Sequence, residues 1–388
     1  MNYGQFLYMF PECALVVALI IVFAFDFAMS KSGELRGEKP NTALGRLTWF
    51  MLMSVGFAIS SVMRQEDTIT VFGGMYVATQ AVNVMKMILT FGTFIVVMMA
   101  DSWVATRQRI AGEFYMLILS TLLGMFVMMS SGNFLLFFLG LEMASVPMAC
   151  MVAFDKWKQK SAEGAAKYIL TATFSSGVML YGISFIYAAA GTLYFDDVAA
   201  TITASPLAIM GLVFFFSGLG FKISLVPFHF WTADTYQGAP TPVTGYLSVI
   251  SKGAAALTLA IILLKVMQPL VMYWSYLLDI VIVLSITVAN LFAIRQSELK
   301  RFMAFSSISQ AGYIMLAVLC NGETGVAALT YYVLVYIVAN MAVFTVINIV
   351  EQKNGGRTDM AAYNGFYQTN PKLSFLMTLH GQLREQEV

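Results

Sequence analysis

Long apolar runs alternate with short polar connections along most of the chain. A run of about 20 apolar residues is long enough to cross the hydrocarbon core of a bilayer, roughly 30 Å, as an α-helix. Eleven runs approach this length, and they predict spans at 6–26, 47–63, 82–100, 114–130, 133–153, 163–190, 206–227, 243–265, 270–293, 299–319 and 324–350. The segment 69–82 is too short to cross and is expected at the interface, and the series ends after Asn364.

The composition agrees with this pattern. Hydrophobic residues make up 59% of the 388 positions and charged residues only 11%, whereas a soluble domain is roughly one-quarter charged. Because the first apolar run follows no basic segment, we expect a retained helix and not a cleaved signal peptide. The predicted fold class is therefore an all-α polytopic membrane protein of about eleven transmembrane helices, and no nucleic-acid partner is expected.

The sequence offers no cofactor site that we recognise. Its three cysteines, Cys13, Cys150 and Cys320, lie in or beside apolar runs without C-x-x-C spacing, which argues against a zinc or iron–sulfur site built from this chain alone. We find no glycine-rich phosphate loop after a strand and no nucleophile constellation. We therefore expect neither a cofactor nor a metal in this chain.

Positive charges indicate the orientation, because Lys and Arg in short loops stay on the cytoplasmic side. Fifteen of them fall in the odd-numbered connections and the last segment, against two in the even-numbered connections, Arg64 and Lys265. The fifteen are Lys31, Arg36, Lys39, Arg46, Arg107, Arg109, Lys156, Lys158, Lys160, Arg295, Lys300, Arg301, Lys353, Arg357 and Lys372. The bias predicts a multi-pass protein of a cell membrane, with the N-terminus outside and the C-terminal tail in the cytoplasm.

Two helix breaks are predicted close to a buried lysine. Pro227 follows Lys222 by five residues and supplies no N–H for the helical hydrogen bond, so the seventh span has to bend or break there. Pro240 and Pro242 interrupt the chain again before the eighth span. Interrupted helices at membrane depth line cavities or pack inside protein, and transporters use them to hold ions.

Three charged residues stand out inside the predicted spans: Glu142 and Lys252 lie far from the span ends, and Lys222 lies just before the break at Pro227. An ionisable group at mid-membrane costs several kcal/mol by insertion scales, so Glu142, Lys222 and Lys252 are candidate proton carriers. Small residues surround Lys252 and allow another helix to approach closely. The alternatives are a hydrogen-bonded structural role for Glu142 and a lysine side chain at position 222 that reaches the interface.

Four further ionisable residues give weaker signals. Lys167 is a candidate, but Glu163 lies one turn earlier and pairs with it in the alternative interpretation. His229 follows the helix break and suits proton relay near neutral pH, or is a structural histidine. Lys86 and Asp279 lie nearer to span ends, and we expect them to reach the interface.

These residues occur in a longer string that resembles the antiporter-like membrane subunits of respiratory complex I, and most closely the chain N group. The similarity covers roughly residues 5 to 375. It is carried by Pro11–Glu12, Leu139–Glu142, Ser161–Tyr168, Phe221–Trp231, Gly238–Thr244, Ser251–Lys252 and Leu299–Ser309. Such a string is far more specific than a single short motif.

The resemblance implies roles for the candidate residues. In that family, the residues matching Glu142 and Lys222 form the charge pair of a half-channel, the one matching Lys252 lies on a central hydrophilic axis, and those matching Lys167 and His229 act as relays. NADH, FMN, iron–sulfur clusters and quinone belong to other subunits. This chain would then move protons within the lipid bilayer, with the other membrane subunits of complex I as its partners.

The resemblance also implies two inverted repeats of five helices, each with a broken helix. Residues 1–110 would hold helices 1–3, residues 111–268 the first repeat, and residues 269–388 an incomplete second repeat with a polar tail. Family members continue with about three more helices, so we expect that the chain is C-terminally truncated. Two other functions stay open: a subunit of a multi-chain Na⁺/H⁺ antiporter, and a structural membrane subunit without an ion path.

Overall fold

The computed structural model describes residues 3–32, 42–63, 68–105, 110–320, 322–375 and 377–378. Within these residues, eleven helices are long and apolar enough to cross a membrane, which confirms the predicted fold class. Ten of them are single α-helices: α1 Phe10–Ser32, α2 Ala43–Val62, α3 Gln80–Ala105, α4 Ala111–Met129, α5 Phe134–Val152, α6 Gln159–Ala190, α8 Pro206–Ile223, α12 Val271–Ala293, α13 Leu299–Leu319 and α14 Glu323–Lys353.

The helix ends lie within a few residues of the predicted positions, and local chemistry explains several of them. Asn133 caps α5 by accepting a hydrogen bond from the Leu136 N–H at 2.7 Å. Gly191 ends α6 in the left-handed conformation, at φ 76°, which glycine adopts without a steric penalty. The longer helices α3 and α6 continue beyond their apolar runs into polar residues, which the apolar pattern alone does not register.

The eighth span is the centre of the bundle and is not a uniform helix. It consists of α10 Thr241–Tyr246, a π-helical turn at Leu247–Ser251, α11 Lys252–Ile261 and a second π-helical turn at Ile262–Val266. In its most apolar window 89% of the residues are buried, against 22% for the first span. The first span therefore lies at the periphery, while Lys252 begins a helix in the protein interior.

The seventh span is interrupted directly after Lys222. Helix α8 ends at Ile223, Ser224 takes the left-handed conformation at φ 69°, and α9 resumes at Phe230–Gly238 after the cis Val226–Pro227 bond. The interruption frees backbone groups that need partners at membrane depth. The Val226 N–H donates to Ser285 Oγ on α12 at 2.9 Å, and the Trp231 indole donates to the Phe221 carbonyl at 3.1 Å.

Two short elements were not predicted. The segment expected at the interface contains a β-hairpin, β1 Ile69–Val71 paired antiparallel with β2 Tyr76–Ala78. A short helix, α7 Phe195–Thr201, follows α6. The hairpin is bonded to the turn between α4 and α5 through Val77 N–H to the Ser130 carbonyl at 2.8 Å. We call this end of the bundle the hairpin face.

The opposite end gathers the charged connections, and we call it the basic face. The backbone of Glu298, just before α13, forms an isolated antiparallel β-bridge with that of Asp359. The Leu299 N–H donates to the Thr358 carbonyl at 3.1 Å. Lys158 lies at the same end, 3.7 Å from Glu351. The positive charges at Arg36, Lys39, Arg64, Arg107 and Arg109 lie outside the described residues, as does the tail after residue 378.

Helices α4 and α5 touch through glycines that have no room for a side chain. A Cβ atom added at Gly140 would lie 2.4 Å from the backbone nitrogen of Met128, and one added at Gly124 would lie 2.4 Å from the nitrogen of Ala144. Small residues drive such close helix contacts in membranes, where burial from water contributes little. This contact fixes α5, which carries Glu142, against the bundle.

We predict that Gly140→Ala destabilises the protein by about 1–3 kcal/mol, because the new methyl group forces α4 and α5 apart. Gly177→Ala on α6 is the matched control, since nothing lies within 4 Å of the Cβ position there. Thermal unfolding of the purified protein in detergent measures both variants. Equal melting temperatures for the two variants would contradict the packing argument.

Candidate functional site

Lys222 lies on the last turn of α8, immediately before the break, and is only 6% exposed. Its ammonium donates to Ser145 Oγ on α5 at 2.7 Å and to the Tyr168 hydroxyl on α6 at 3.2 Å. The break stops the helix there and, with α5 and α6, places the ammonium among hydroxyl groups. The sequence therefore identified a residue that is buried and hydrogen-bonded.

Glu142 lies one turn before Ser145 on α5 and is half-buried. Its carboxylate accepts a hydrogen bond from Ser176 Oγ on α6 at 2.5 Å. Among the ion pairs of 4.0 Å or less that the described residues form, none joins Glu142 to Lys222. The pair implied by the family resemblance is therefore not in direct contact in this conformation, and Ser145 contacts the lysine instead.

Lys252 begins α11 directly after the first π-helical turn and is 1% exposed. Its ammonium contacts Ser307 Oγ on α13 at 2.5 Å and lies 5.6 Å from the centre of the Tyr236 ring. Tyr236 is in turn hydrogen-bonded to Ser307 at 3.2 Å. In the described part of the chain, Lys252 forms no ion pair of 4.0 Å or less with a carboxylate.

An aromatic row joins the two lysines. Tyr168, which contacts Lys222, packs edge-on against Trp231 with ring centres 5.1 Å apart. Trp231 is followed by Tyr236 at 6.5 Å, and Tyr236 reaches the Ser307–Lys252 contact. Two of the three aromatic residues come from α9, so the broken helix itself forms the connection between the lysines.

His229 lies between Pro227 and α9, with 8% of its surface exposed. Its ring stacks on Phe230 with centres 4.6 Å apart. Nδ1 is buried and has no hydrogen-bond partner among the described residues. A buried histidine nitrogen without a partner is unusual for a purely structural residue.

Lys167 is 45% exposed and belongs to a cluster that the sequence only partly indicated. It pairs with Glu163, as the alternative interpretation predicted, at 2.6 Å, and also with Asp234 Oδ2 on α9 at 2.6 Å. The other oxygen of Asp234 contacts Arg301 on α13 at 2.5 Å. Asp234 was missed, although its position inside the interrupted segment was a usable signal.

A charged cavity of about 330 Å³ opens at the basic face. Lys300, 3% exposed, lies in its wall, 3.4 Å from Glu351 and 3.1 Å from the Ala239 carbonyl to which it donates. The Thr241 hydroxyl also contacts Glu351. The second interruption, at Pro240, is thus satisfied by side chains from α13 and α14. Lys300 and Glu351 were not singled out from the sequence, because both lie at span ends.

The expectation for Lys86 was wrong. It is fully buried on α3 and forms an ion pair with Glu12 on α1 at 2.6 Å. The helix begins two residues earlier than predicted, at Gln80, and the β-hairpin covers this end of it. Asp279, the other residue expected to reach the interface, is exposed on α12.

The described residues contain no group of three or more histidine, cysteine, aspartate or glutamate side chains that could hold a metal ion. The ionisable groups of the site instead form three sets: Lys167, Asp234 and Arg301 in a partly exposed cluster, Lys222 and Lys252 buried in the interior, and Lys300 and Glu351 at the basic face. Such groups, joined by hydroxyls, have the chemistry of proton carriers.

Comparison with known proteins places this arrangement in a family. The family model described as NADH:quinone oxidoreductase/Mrp antiporter, transmembrane, matches residues 131–382. The NADH-quinone oxidoreductase subunit N of Phocaeicola vulgatus is 55% identical over 382 residues, which cover 98% of this chain and 78% of the relative. That of Azobacteroides pseudotrichonymphae is 45% identical over 385 residues, with the same coverage.

A solved structure shows the same fold. In respiratory complex I from Thermus thermophilus with bound aureothin, one chain superposes with a TM-score of 0.74 and 29% identity, covering 92% of this chain and 76% of that one. The region that the family model matches contains Glu142, Lys222 and Lys252. This chain belongs to the NADH:quinone oxidoreductase/Mrp antiporter transmembrane family, within the group of NADH-quinone oxidoreductase subunit N proteins.

Proposed function

We propose that this chain is a proton-translocating membrane subunit of an NADH:quinone oxidoreductase. Protons pass by way of Glu142, Lys222 and Lys252, and Lys167 and His229 act as relays. The helix breaks at Pro227, Pro240 and Pro242 make polar groups available along this path. The observation that carries the proposal is the pair of almost fully buried lysines, Lys222 and Lys252, joined by the aromatic row and held by serine and tyrosine hydroxyls.

The chemistry follows from the cost of a buried charge. An ammonium inside a bilayer is expensive unless an opposite charge compensates it. Ser145 and Ser307 supply hydrogen bonds to the lysines but no negative charge. A shift of Glu142 toward or away from Lys222 therefore changes the stability of the charged lysine and with it the tendency to take up or release a proton.

Glu142 also supports an assembly with partner subunits. A half-buried carboxylate near the middle of a span does not face lipid at low cost, so its open side is best explained by contact with another membrane subunit. The matching solved structure is of respiratory complex I, so we infer that the partners are the other membrane subunits of such a complex. NADH, FMN, iron–sulfur clusters and quinone would be bound by those partners, and this chain would contribute no redox site of its own.

We place the protein in the bacterial inner membrane with the basic face in the cytoplasm. Lys158, Lys160 and Lys300 gather at that face, and lysines in short loops favour the cytoplasmic side. At the hairpin face, the charge of Lys265 is paired with Asp196 at 2.7 Å. The N-terminus then lies outside. Cysteine labelling from either side of sealed vesicles, at Trp157 on the basic face and at Thr192 near the hairpin face, tests this placement.

Sodium/proton antiport is the second candidate, because the matching family model includes Mrp antiporters. The two functions differ in their driving reaction. In inverted vesicles, NADH-driven acidification supports the first. Sodium-driven pH changes in the absence of NADH and quinone would instead support the antiporter.

We predict that Glu142→Gln preserves assembly and lowers the proton-to-electron ratio of the complex. The amide keeps the shape and the hydrogen bond from Ser176 but carries no charge to act on Lys222. Proton uptake by inverted vesicles, measured together with NADH oxidation, gives the ratio. A structural subunit without an ion path predicts the wild-type ratio in this variant, and that outcome would refute the role assigned to Glu142.

We predict that Lys252→Arg also fails to translocate protons, although it keeps the positive charge. An arginine side chain remains protonated in proteins, so it binds Ser307 but does not release a proton. Arg301→Lys, in the partly exposed Asp234 cluster, is the comparison: lysine there keeps the positive charge beside Asp234, so we expect pumping to persist. Full pumping by Lys252→Arg would show that a fixed positive charge is sufficient at this position.

A further inference from the structure

A second buried ion pair lies at the hairpin face, apart from the path proposed above. Glu12 and Lys86 are in contact at 2.6 Å, with their side chains 4% and 0% exposed. The Tyr76 hydroxyl donates to both carboxylate oxygens, at 3.2 and 3.1 Å, and accepts from the Lys86 ammonium at 3.2 Å. Three ionisable groups from α1, β2 and α3 are thus in mutual contact, outside the region that the family model matches.

A purely structural role explains this cluster poorly. Replacing a buried ion pair by well-packed apolar residues is often neutral or stabilising, so stability alone gives little reason to keep one. Asn83, one turn before Lys86 on α3, is 3% exposed, and its Oδ1 has no hydrogen-bond partner among the described residues. This open acceptor, one turn from Lys86 on the same helix, can bind a further donor, as a proton-exchanging site requires.

The cluster has an outward and an inward side. On the outward side, a cavity of about 1050 Å³ is lined by Val77 and Val82, close in sequence to Tyr76 and Lys86. The cavity walls also include Ser131 and Asp196, which belong to the hairpin face. The cavity is therefore lined by the same segments, β2 and the start of α3, that carry Tyr76 and Lys86.

On the inward side, α3 carries hydroxyl groups on the same face as the lysine. Thr90 and Thr93 follow Lys86 at four and seven residues, and both are buried. Thr93 and Thr121 lie within hydrogen-bonding reach of the Tyr246 hydroxyl, 2.9 Å from Thr121. Tyr246 ends α10, just before the π-helical turn that leads to Lys252.

We propose that Glu12, Lys86 and Tyr76 form a second proton-exchange site of this chain, which passes protons between the hydroxyl-lined interior and the aqueous phase at the hairpin face. The inference rests on the proposed proton-translocating function. One proton moves from the Lys86 ammonium to the Glu12 carboxylate, giving a neutral amine and a neutral acid. The acid then releases its proton outward, and the amine takes one from the interior, which restores the ion pair.

The test uses the assembled complex in inverted vesicles and the double variant Glu12→Gln/Lys86→Met, which leaves no unpaired charge. We expect assembly and NADH oxidation to persist, and the proton-to-electron ratio to fall by the same fraction as in Lys252→Met. The control is Asp279→Asn, which removes an exposed carboxylate on α12 outside both proposed paths and keeps the wild-type ratio. Wild-type pumping by the Glu12/Lys86 double variant, with loss in Lys252→Met, would overturn the inference and leave the proposed function intact.

If Lys252→Met also pumps normally, the proposed function fails, and this inference fails with it.

A second measurement does not depend on whether the double variant folds. Reaction-induced infrared difference spectra of the wild-type complex should contain a carboxylic acid band, and Tyr76→Phe should shift it because it removes a hydrogen bond to Glu12. An unshifted band in Tyr76→Phe, or no such band in the wild type, would show that Glu12 is not protonated during turnover.

Discussion

Inside a bilayer every backbone N–H and C=O group needs a partner within the protein, and the architecture of this chain depends on how it meets that need at two interrupted helices. Ser285 accepts from the Val226 N–H, and Trp231 donates to the Phe221 carbonyl. Lys300 donates to the Ala239 carbonyl at the second interruption. The helices that surround the breaks are thus fixed by the same groups that make the breaks tolerable.

The interruptions in turn decide where the charges lie. Because α8 ends at Ile223, Lys222 sits at a helix terminus and reaches hydroxyl groups on α5 and α6. Because α9 is a separate segment, its aromatic side chains lie between the two buried lysines, and Asp234 links α6 to α13. A continuous seventh helix would leave the lysines without this connection.

Membrane depth gives the ionisable groups unequal roles. Lys167 and Arg301 share Asp234 at a partly exposed site, where an ion pair contributes little to stability. Glu12 and Lys86 are in contact and almost completely buried, whereas Lys222 and Lys252 are buried with hydroxyl partners. The chain therefore combines two kinds of buried lysine: Lys86 near one face, whose charge Glu12 compensates directly, and Lys222 and Lys252 in the centre, which have hydroxyl partners but no carboxylate in contact.

The sequence by itself determined the eleven spans, since each is an apolar run whose length is set by bilayer thickness, and it located the breaks, since proline removes a backbone donor wherever it stands. It also singled out Glu142 and Lys252 by their depth within those runs, and Lys222 by its position just before a break. Only the tertiary structure decided which charges meet. Glu12 and Lys86 are 74 residues apart, Asp234 and Arg301 are 67 apart, and the hairpin that covers Lys86 lies in a weakly apolar segment. Contacts of this kind depend on how helices pack, and helix packing in lipid follows from the shapes of small residues such as Gly124 and Gly140, which carry no signature in the apolar pattern.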